Sequence, residues 1–212
     1  MKKTTRQLQK EETRTALLQA AYDVFSSQGI QASRMADIAK AAGVSHGTVF
    51  LHFPTQERLV AEVLEAYCGE IAQDTHLSAV SCRTLREFLD VHIAGISRHE
   101  PFYTRLVIEN RLLPQEARDA WTGLQSAVSF HFSQVLERDR AETGGVEGEA
   151  ELPLSLLFNT WMGLVHYYLG NGDLFAPEGG VLRRHGQTLT EHYLKLIHKK
   201  ELICHGVAEN AN

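Results

Sequence analysis

The residues best suited to binding chemistry form a short polar run, Ser45-His46-Gly47-Thr48. The histidine ring can donate a hydrogen bond, the threonine offers a hydroxyl and a methyl group, and the glycine permits a close approach. No base or acid at a catalytic spacing accompanies them, so the run indicates recognition rather than catalysis. Groups of this kind at the exposed start of a helix can contact base edges in the major groove of DNA.

Residues 33–59 predict the frame that presents this run, two short helices joined by a glycine turn and then a longer helix. Ala39 is small enough to let the helices cross closely. Gly43 follows four residues later and can adopt the positive φ that the turn needs. Ser45 can cap the second short helix, and Val49 points back into a small core. Periodicity, turn and cap together predict a helix-turn-helix.

The composition predicts a globular, all-α protein. The chain has 212 residues, of which 43% are hydrophobic and 22% charged, and only five prolines interrupt it. No apolar run approaches the roughly 18 residues of a membrane span, and no apolar segment follows the basic start as a secretory signal would require. The three cysteines lack metal-type spacing, which predicts reduced thiols and a cytoplasmic protein.

The charge is distributed unevenly between the start of the chain and the rest. The net charge is −5, but residues 1–58 carry eight Lys/Arg and five Asp/Glu, and the remainder carries 13 and 21. A basic end on an acidic body is typical of a small DNA-reading domain attached to a larger part that does not touch phosphate.

Helical periodicity predicts about nine helices in two domains. The DNA-binding helix-turn-helix domain is expected over residues 1–55, and a ligand-binding and dimerisation domain over residues 56–212. The predicted helices are 10–27, one following Ser33, 46–52, 56–74, 84–98, 101–112, 114–140, 152–169 and 180–199.

The sequence favours neither an enzyme nor a metal protein. Its eleven histidines include no His-Glu-x-x-His, and it contains no glycine-rich phosphate loop and no Gly-x-Ser-x-Gly elbow. No nucleophile, base and orienting group can be assigned. We therefore expect no catalytic residue, no cofactor and no metal site.

With these residues in view, the chain resembles the TetR family of one-component bacterial transcription regulators. The resemblance covers about residues 10–60 and rests on FSSQG at 25–29 and on SRMADIAKAAGVSHGTVFLHFPTQERL at 33–59. It implies an α-helical homodimer in which each subunit has a three-helix DNA-binding domain and a helical body with a small-molecule pocket.

The chain departs from the family pattern at two positions. Phe50 stands where the family usually has a tyrosine, and Gln56 where it usually has a lysine. Both family residues commonly reach the DNA backbone, so their loss predicts weaker or less salt-sensitive binding. Arg34, at the start of the second helix, could compensate.

The resemblance assigns DNA contacts along the motif. Ser33 and Arg34 would hold a phosphate, His46 to Thr48 would face bases or nearby phosphates, and His52 would donate to a phosphate. The basic residues Lys2, Lys3, Arg6 and Lys10 either follow the DNA or form a solvated tail. The full set of predicted DNA-contacting residues is Ser33, Arg34, Ser45, His46, Gly47, Thr48, Phe50 and His52.

The remaining predictions concern the body, where each assignment competes with plain packing. Glu109 could couple a pocket to the DNA-binding domain or could be solvated. Candidate pocket residues, which could equally be core, are His99, Phe102, Tyr103, Trp121, Phe158, Trp161, Met162 and His166. Candidate dimer-interface residues, which could equally pack within the chain, are Leu157, Leu164, Tyr168, Leu189, Tyr193 and Leu196.

These observations predict a homodimeric repressor that binds a palindromic operator in double-stranded DNA and is released by a small, largely apolar effector, with no membrane partner. A DNA-binding protein without an effector remains an alternative. A small-molecule-binding enzyme with a vestigial DNA-binding head is a further alternative, which the absence of a catalytic constellation disfavours.

Overall fold

The computed structural model of the chain describes residues 4–143 and 152–208, and within them the secondary structure is helical without strands, which confirms the predicted all-α class. The described residues form ten α-helices and one 3-10 turn at Asn110–Leu112. The extra helix relative to the nine expected is α9, a single turn between the helices predicted at 152–169 and 180–199. The helices are α1 Thr5–Gln28, α2 Met35–Ala41, α3 His46–His52, α4 Gln56–Ser81, α5 Leu85–Arg98, α6 Glu100–Glu109, α7 Gln115–Thr143, α8 Leu154–Gly170, α9 Gly172–Phe175 and α10 Val181–Ala208.

Helix α1 begins five residues earlier than predicted because a capping box fixes its start. The side chain of Thr4 accepts a hydrogen bond from the backbone N–H of Gln7 (3.3 Å), and the Gln7 side chain accepts one from the backbone N–H of Thr4 (2.8 Å). Two otherwise unsatisfied donors are thereby paired. The apolar periodicity begins only near Leu17, so the polar first turns of the helix carry no hydrophobic signal.

The described chain divides into two compact units. Unit 1 comprises Met1–Ala72 and His99–Gln125, and unit 2 comprises Gln73–Arg98 and Ser126–Asn212. The functional boundary predicted at residues 55 and 56 lies inside unit 1, between α3 and α4, and stays a prediction about function.

Unit 1 is built around α1, which contacts both α2 and α6. Leu17, Ala21 and Phe25 of α1 are fully buried, as are Val49 of α3 and Phe53 directly after it. Helix α2 packs in turn on α3. The helix-turn-helix therefore has a closed apolar core, which holds α3 by one face only.

In unit 2, α10 packs on α5 and on α8. The contact with α5 is close at Gly186, where an added Cβ would lie 2.5 Å from Cγ2 of Ile93. Trp161 of α8 is fully buried and donates from Nε1 to Nδ1 of His92 (3.2 Å), and the hydroxyl of Tyr193 donates to the carbonyl of Leu157 (2.9 Å). These bonds satisfy polar groups that burial would otherwise leave unpaired.

Candidate nucleic-acid interface

The turn between α2 and α3 has the predicted geometry. Gly43 has a φ of +67°, and the backbone N–H of Val44 donates to the carbonyl of Ala39 at 3.0 Å. Ser45 caps α3, because its side chain accepts the backbone N–H of Thr48 at 3.1 Å. The glycine turn, the serine cap and both ends of α3 are confirmed.

One face of α3 is anchored and the opposite face is offered to solvent. Val49 is fully buried, and at about 100° per residue Gly47 and Leu51 lie furthest from it around the helix. Leu51 is 76% exposed and Phe50 is 40% exposed. His46 meets Phe50 edge to face, with ring centroids 4.8 Å apart. The outward surface is thus small and apolar at its centre, with a histidine at its edge.

Of two predicted contact residues, Thr48 has a local role in the fold and Gly47 has none. The hydroxyl of Thr48 lies 2.8 Å from Oγ of Ser45, within the cap of the helix. Gly47 is exposed, and a Cβ built on it would meet only Oγ of Ser45, at 3.8 Å. The fold itself therefore does not require a glycine at position 47.

Ser33 and Arg34 lie differently from one another. Ser33 is 2% exposed and its hydroxyl donates to the carbonyl of Gly29, so it braces the connection from α1 to α2. Arg34 is exposed and is the N-cap residue of α2, where its backbone N–H donates to the Asp37 carboxylate at 3.0 Å. Of this pair, only Arg34 presents its side chain to solvent.

Gln56 has a structural contact that its sequence position did not suggest. Its Nε2 donates to the carbonyl of Ser33 at 2.8 Å. The first residue of α4 is thereby tied to the segment that leads into α2. A neutral amide is sufficient for this bond, so Gln56 has a role in the fold that needs no charge.

His52 is the last residue of α3 and lies near the positive charges of Lys10 and Arg14. Its Nδ1 is buried without a hydrogen-bond partner. Burial lowers the pKa of His52 below its usual value, and the charges of Lys10 and Arg14 lower it further. Arg14 stacks over the Phe53 ring, 4.8 Å from its centroid, and pairs with Glu62. An anion beside His52 would meet cationic neighbours and a ring that can take up a proton.

The basic residues at the start of the chain fall into two groups. Arg6 and Lys10 are exposed and belong to α1, so they project from a helix rather than from an extended arm. Lys2 and Lys3 lie outside the described residues.

The predicted pocket residues divide between the two units. In unit 1, His99 Nδ1 lies 3.0 Å from the hydroxyl of Tyr22, and Tyr103 packs edge to face with Trp121 at 5.1 Å. In unit 2, Trp161 is bonded to His92. The unit 1 members are His99, Phe102, Tyr103 and Trp121, and the unit 2 members are Phe158, Trp161, Met162 and His166. Six of the eight are buried, and His99 and His166 are half-buried.

Unit 1 also contains an open cleft of about 310 Å³, which no predicted pocket residue lines. The cleft lies among the connection from α1 to α2, the first turns of α4 and the segment before α7. Its lining residues are Ile30, Gln31, Gln56, Glu57, Val60, Leu112, Leu113 and Pro114.

The predicted dimer-interface residues also differ in exposure. Leu157, Leu189 and Tyr193 are buried within the chain, Leu164 and Tyr168 are half-buried, and Leu196 is 51% exposed. The most exposed side of α8 carries different residues. They are Leu156, Asn159, Thr160, Gly163 and Tyr167.

The structure reveals features of two residues that the sequence analysis did not predict. Leu51 was not assigned a role, although its spacing of two from the buried Val49 and four from Gly47 places it on the outer face. Glu109 is 9% exposed and accepts the backbone N–H of Gln31 at 2.8 Å, so it is a buried contact rather than a solvated charge.

Within the described ranges, 4–143 and 152–208, no group of three or more metal-ligating side chains occurs. No helix in that part of the chain is long and apolar enough to span a membrane. Cys68 and Cys82, whose side chains are described, are both free, and burial raises the pKa of the Cys68 thiol to about 12.

The capped α2–turn–α3 unit defines a helix-turn-helix protein, and comparisons with known proteins narrow the class. Residues 17–63 match the family described as bacterial regulatory proteins, tetR family. The matched stretch runs from the second half of α1 through the helix-turn-helix into the first turns of α4. An HTH-type transcriptional repressor of Mycobacterium tuberculosis is 40% identical over 89 residues, which are 42% of this chain and 47% of that protein. The chain thus spans about half the length of the curated relatives it matches.

Solved structures share the fold over most of the chain. The TetR family transcriptional regulator PfmR from Thermus thermophilus matches with a TM-score of 0.66 and 18% identity, over 86% of this chain and 97% of PfmR. The regulator FadR from Bacillus subtilis, in complex with stearoyl-CoA, matches with a TM-score of 0.63 and 18% identity, over 84% and 96%. At these identities the likeness establishes the fold.

Proposed function

We propose that the protein is a homodimeric, ligand-responsive transcription regulator of the cytoplasm, a repressor that binds a palindromic operator. The observation that carries the proposal is the outward face of α3, held by the buried Val49 and the Ser45 cap. Its solvent face has no partner in the unit's own core, and a helix of this kind fits a major groove.

The proposed interface contains the outward-facing members of the predicted set. His46, Gly47 and Phe50 would meet the groove and its edges, and Arg34 and His52 would meet phosphates. Ser33, Ser45 and Thr48 would act beneath them, because their hydroxyls are bonded within the turn segments. Few cationic groups take part, so we expect a shallow dependence of affinity on salt.

A dimer is part of the proposal because a palindrome needs two copies of α3 at a fixed separation. The exposed side of α8 from Leu156 to Tyr167 is the surface we assign to it, together with Leu196 of α10. Leu157, Leu189 and Tyr193 would support that surface from within. Tyr167→Lys should yield monomers in light-scattering chromatography and lose operator binding, whereas Leu77→Lys, at a 61% exposed leucine in the same unit, should change neither.

The effector is proposed to be small and largely apolar. The regulator FadR, which has a similar fold, was solved in complex with stearoyl-CoA. Both groups of aromatic residues in this chain place apolar rings beside a few polar atoms, which is the composition of a typical ligand pocket. A coupling of about 1–3 kcal/mol between effector and DNA would lower the DNA affinity about 5- to 150-fold.

Two measurements test this function. Footprinting on the DNA beside the coding region should reveal a protected palindrome at low salt, and its absence would favour the enzyme alternative. Thermal shift with a panel of apolar probes that includes stearoyl-CoA should find a compound that raises the melting temperature and releases the DNA. DNA binding that no such compound affects would favour the regulator without an effector.

A further inference from the structure

The amino acids of α3 restrict how it can read DNA. The helix is His-Gly-Thr-Val-Phe-Leu-His, without arginine, lysine, asparagine, glutamine, aspartate or glutamate. Those side chains make the bidentate contacts to guanine and adenine, or accept from cytosine. The side chains of α3 can therefore recognise bases only through single hydrogen bonds and apolar contacts.

The exposed geometry favours apolar contact at the centre of the helix face. Gly47 and Leu51 point most directly away from the buried Val49, and Leu51 is 76% exposed. Gly47 has no side chain, so the backbone there can approach the groove closely, and Leu51 becomes the side chain that projects furthest beside it. The Thr48 hydroxyl is already 2.8 Å from Ser45 Oγ.

Among the four bases, only thymine presents an apolar group in the major groove, its C5 methyl. We infer that Leu51 reads thymine in each half-site by packing its side chain against that methyl group, with Gly47 providing the close approach. This inference rests on the proposed DNA-binding function and specifies the chemistry that its operator must contain. His46 lies beside this contact at the edge of the face and supplies a polar contact to a neighbouring base or phosphate.

The test begins with the full chain and a randomised pool of DNA duplexes, from which the bound sequences are selected. Each thymine of the enriched palindrome is then replaced by deoxyuridine, which removes one methyl group and leaves base pairing unchanged. At one or two thymines per half-site we expect affinity to fall about fourfold for each methyl, and about 15-fold when both half-sites are changed.

The Leu51→Ala variant should bind thymine and deoxyuridine duplexes with nearly equal affinity. Leu77→Ala removes a comparably exposed leucine, 61% exposed, from unit 2 and should keep the full preference for thymine. Circular dichroism of both variants verifies the fold, since an exposed leucine can be shortened without opening a core.

Three results would overturn the inference. They are half-sites without thymine, deoxyuridine duplexes that bind as well as thymine duplexes, and a thymine preference that persists in Leu51→Ala. Each of them leaves the DNA-binding function standing. Failure to bind any duplex at low salt would instead refute the proposed function and this inference with it.

Discussion

Gly47 occupies a helical position that its own fold does not require to be glycine. A methyl group added at this position would meet only Oγ of Ser45, at 3.8 Å, and the residue is exposed. Glycine in a helix costs about 0.5–1 kcal/mol relative to alanine. A residue that weakens its helix without an internal reason indicates an external one, and under the proposed function that reason is the approach of DNA.

The Gly47→Ala variant should therefore be more stable and less active. We expect the free energy of unfolding to rise by about 0.5–1 kcal/mol and operator affinity to fall at least about tenfold. Gly123→Ala is the matched control, because that glycine is also helical and exposed and a Cβ there would meet nothing within 4 Å. It should gain stability and bind DNA normally. Unchanged binding by Gly47→Ala would contradict the assignment.

His52 should make DNA binding depend on pH. Burial and the charges of Lys10 and Arg14 lower the pKa of His52 in the free protein, which favours the neutral ring. A phosphate nearby would raise that pKa, so binding takes up a proton and should strengthen as the pH falls from 8 to 6. His52→Asn should flatten the profile in fluorescence anisotropy titrations. A profile that the variant leaves unchanged would remove His52 from the interface.

At the scale of elements, local signals and long-range contacts differ in how well sequence reveals them. The Gly43 turn, the Ser45 cap and the bounds of α3 follow from residues within a few positions, and all were predictable. The bond between Glu109 and Gln31, in contrast, joins segments that lie far apart along the chain. For Glu109 the partner lies 78 residues away, so its burial could not be read from periodicity.

The end of α6 holds the connection between α1 and α2. Glu109 accepts from Gln31 N–H, its Oε1 would lie 2.8 Å from a Cβ at Gly29, and Arg105 donates to the Ser27 carbonyl at 3.3 Å. Gly29 has a φ of +97°, which an L side chain rarely adopts. This contact fixes the segment from which α2 begins.

The Glu109→Ala variant should lower the free energy of unfolding by about 1 kcal/mol, because the part-buried N–H of Gln31 loses its acceptor. It should also weaken operator binding, since α2 loses an anchor. Glu109→Gln keeps an acceptor oxygen and should recover part of both. Glu116→Ala is the control, because its 3.4 Å pair with Arg58 is exposed and should change stability by less than about 0.5 kcal/mol. Equal losses in urea unfolding for Glu109→Ala and Glu116→Ala would contradict this role.

For the whole molecule, the sequence predicted the all-α class and the helices, but it did not predict how the helices are divided between the two compact units. Helix α6 and the first part of α7 belong to the same unit as the helix-turn-helix. Apolar spacing identifies which face of a helix is buried and leaves open which partner covers it. For the same reason the aromatic residues predicted as one pocket fall into two groups, around Tyr103 and around Trp161.

Two histidines, the buried His92 and the half-buried His166, should make unit 2 sensitive to acid. Burial lowers the pKa of His92 to about 3 and that of His166 to about 4. Both remain neutral in the folded state and take up protons near pH 6.5 when unfolded. Their stabilisation is therefore complete above pH 6.5 and declines as the pH falls below it.

Urea unfolding at pH 6.5 and 5.5 measures this effect. The slope approaches about 1.4 kcal/mol per pH unit for each histidine only below the unfolded pKa, so between pH 6.5 and 5.5 each should cost about 1 kcal/mol and the two together about 2 kcal/mol. His92→Gln retains an acceptor for Trp161 and should remove about half of the slope. An unchanged slope in that variant would show that other groups set the acid sensitivity.

The central claim is that two copies of α3 read one palindrome from a single dimer. Footprinting combined with the mass of the complex tests it most directly. We expect two chains on one duplex and two protected half-sites whose centres lie about one helical turn, or 10–10.5 base pairs, apart. A single chain on an asymmetric site, or protection that survives Gly47→Ala undiminished, would contradict the account.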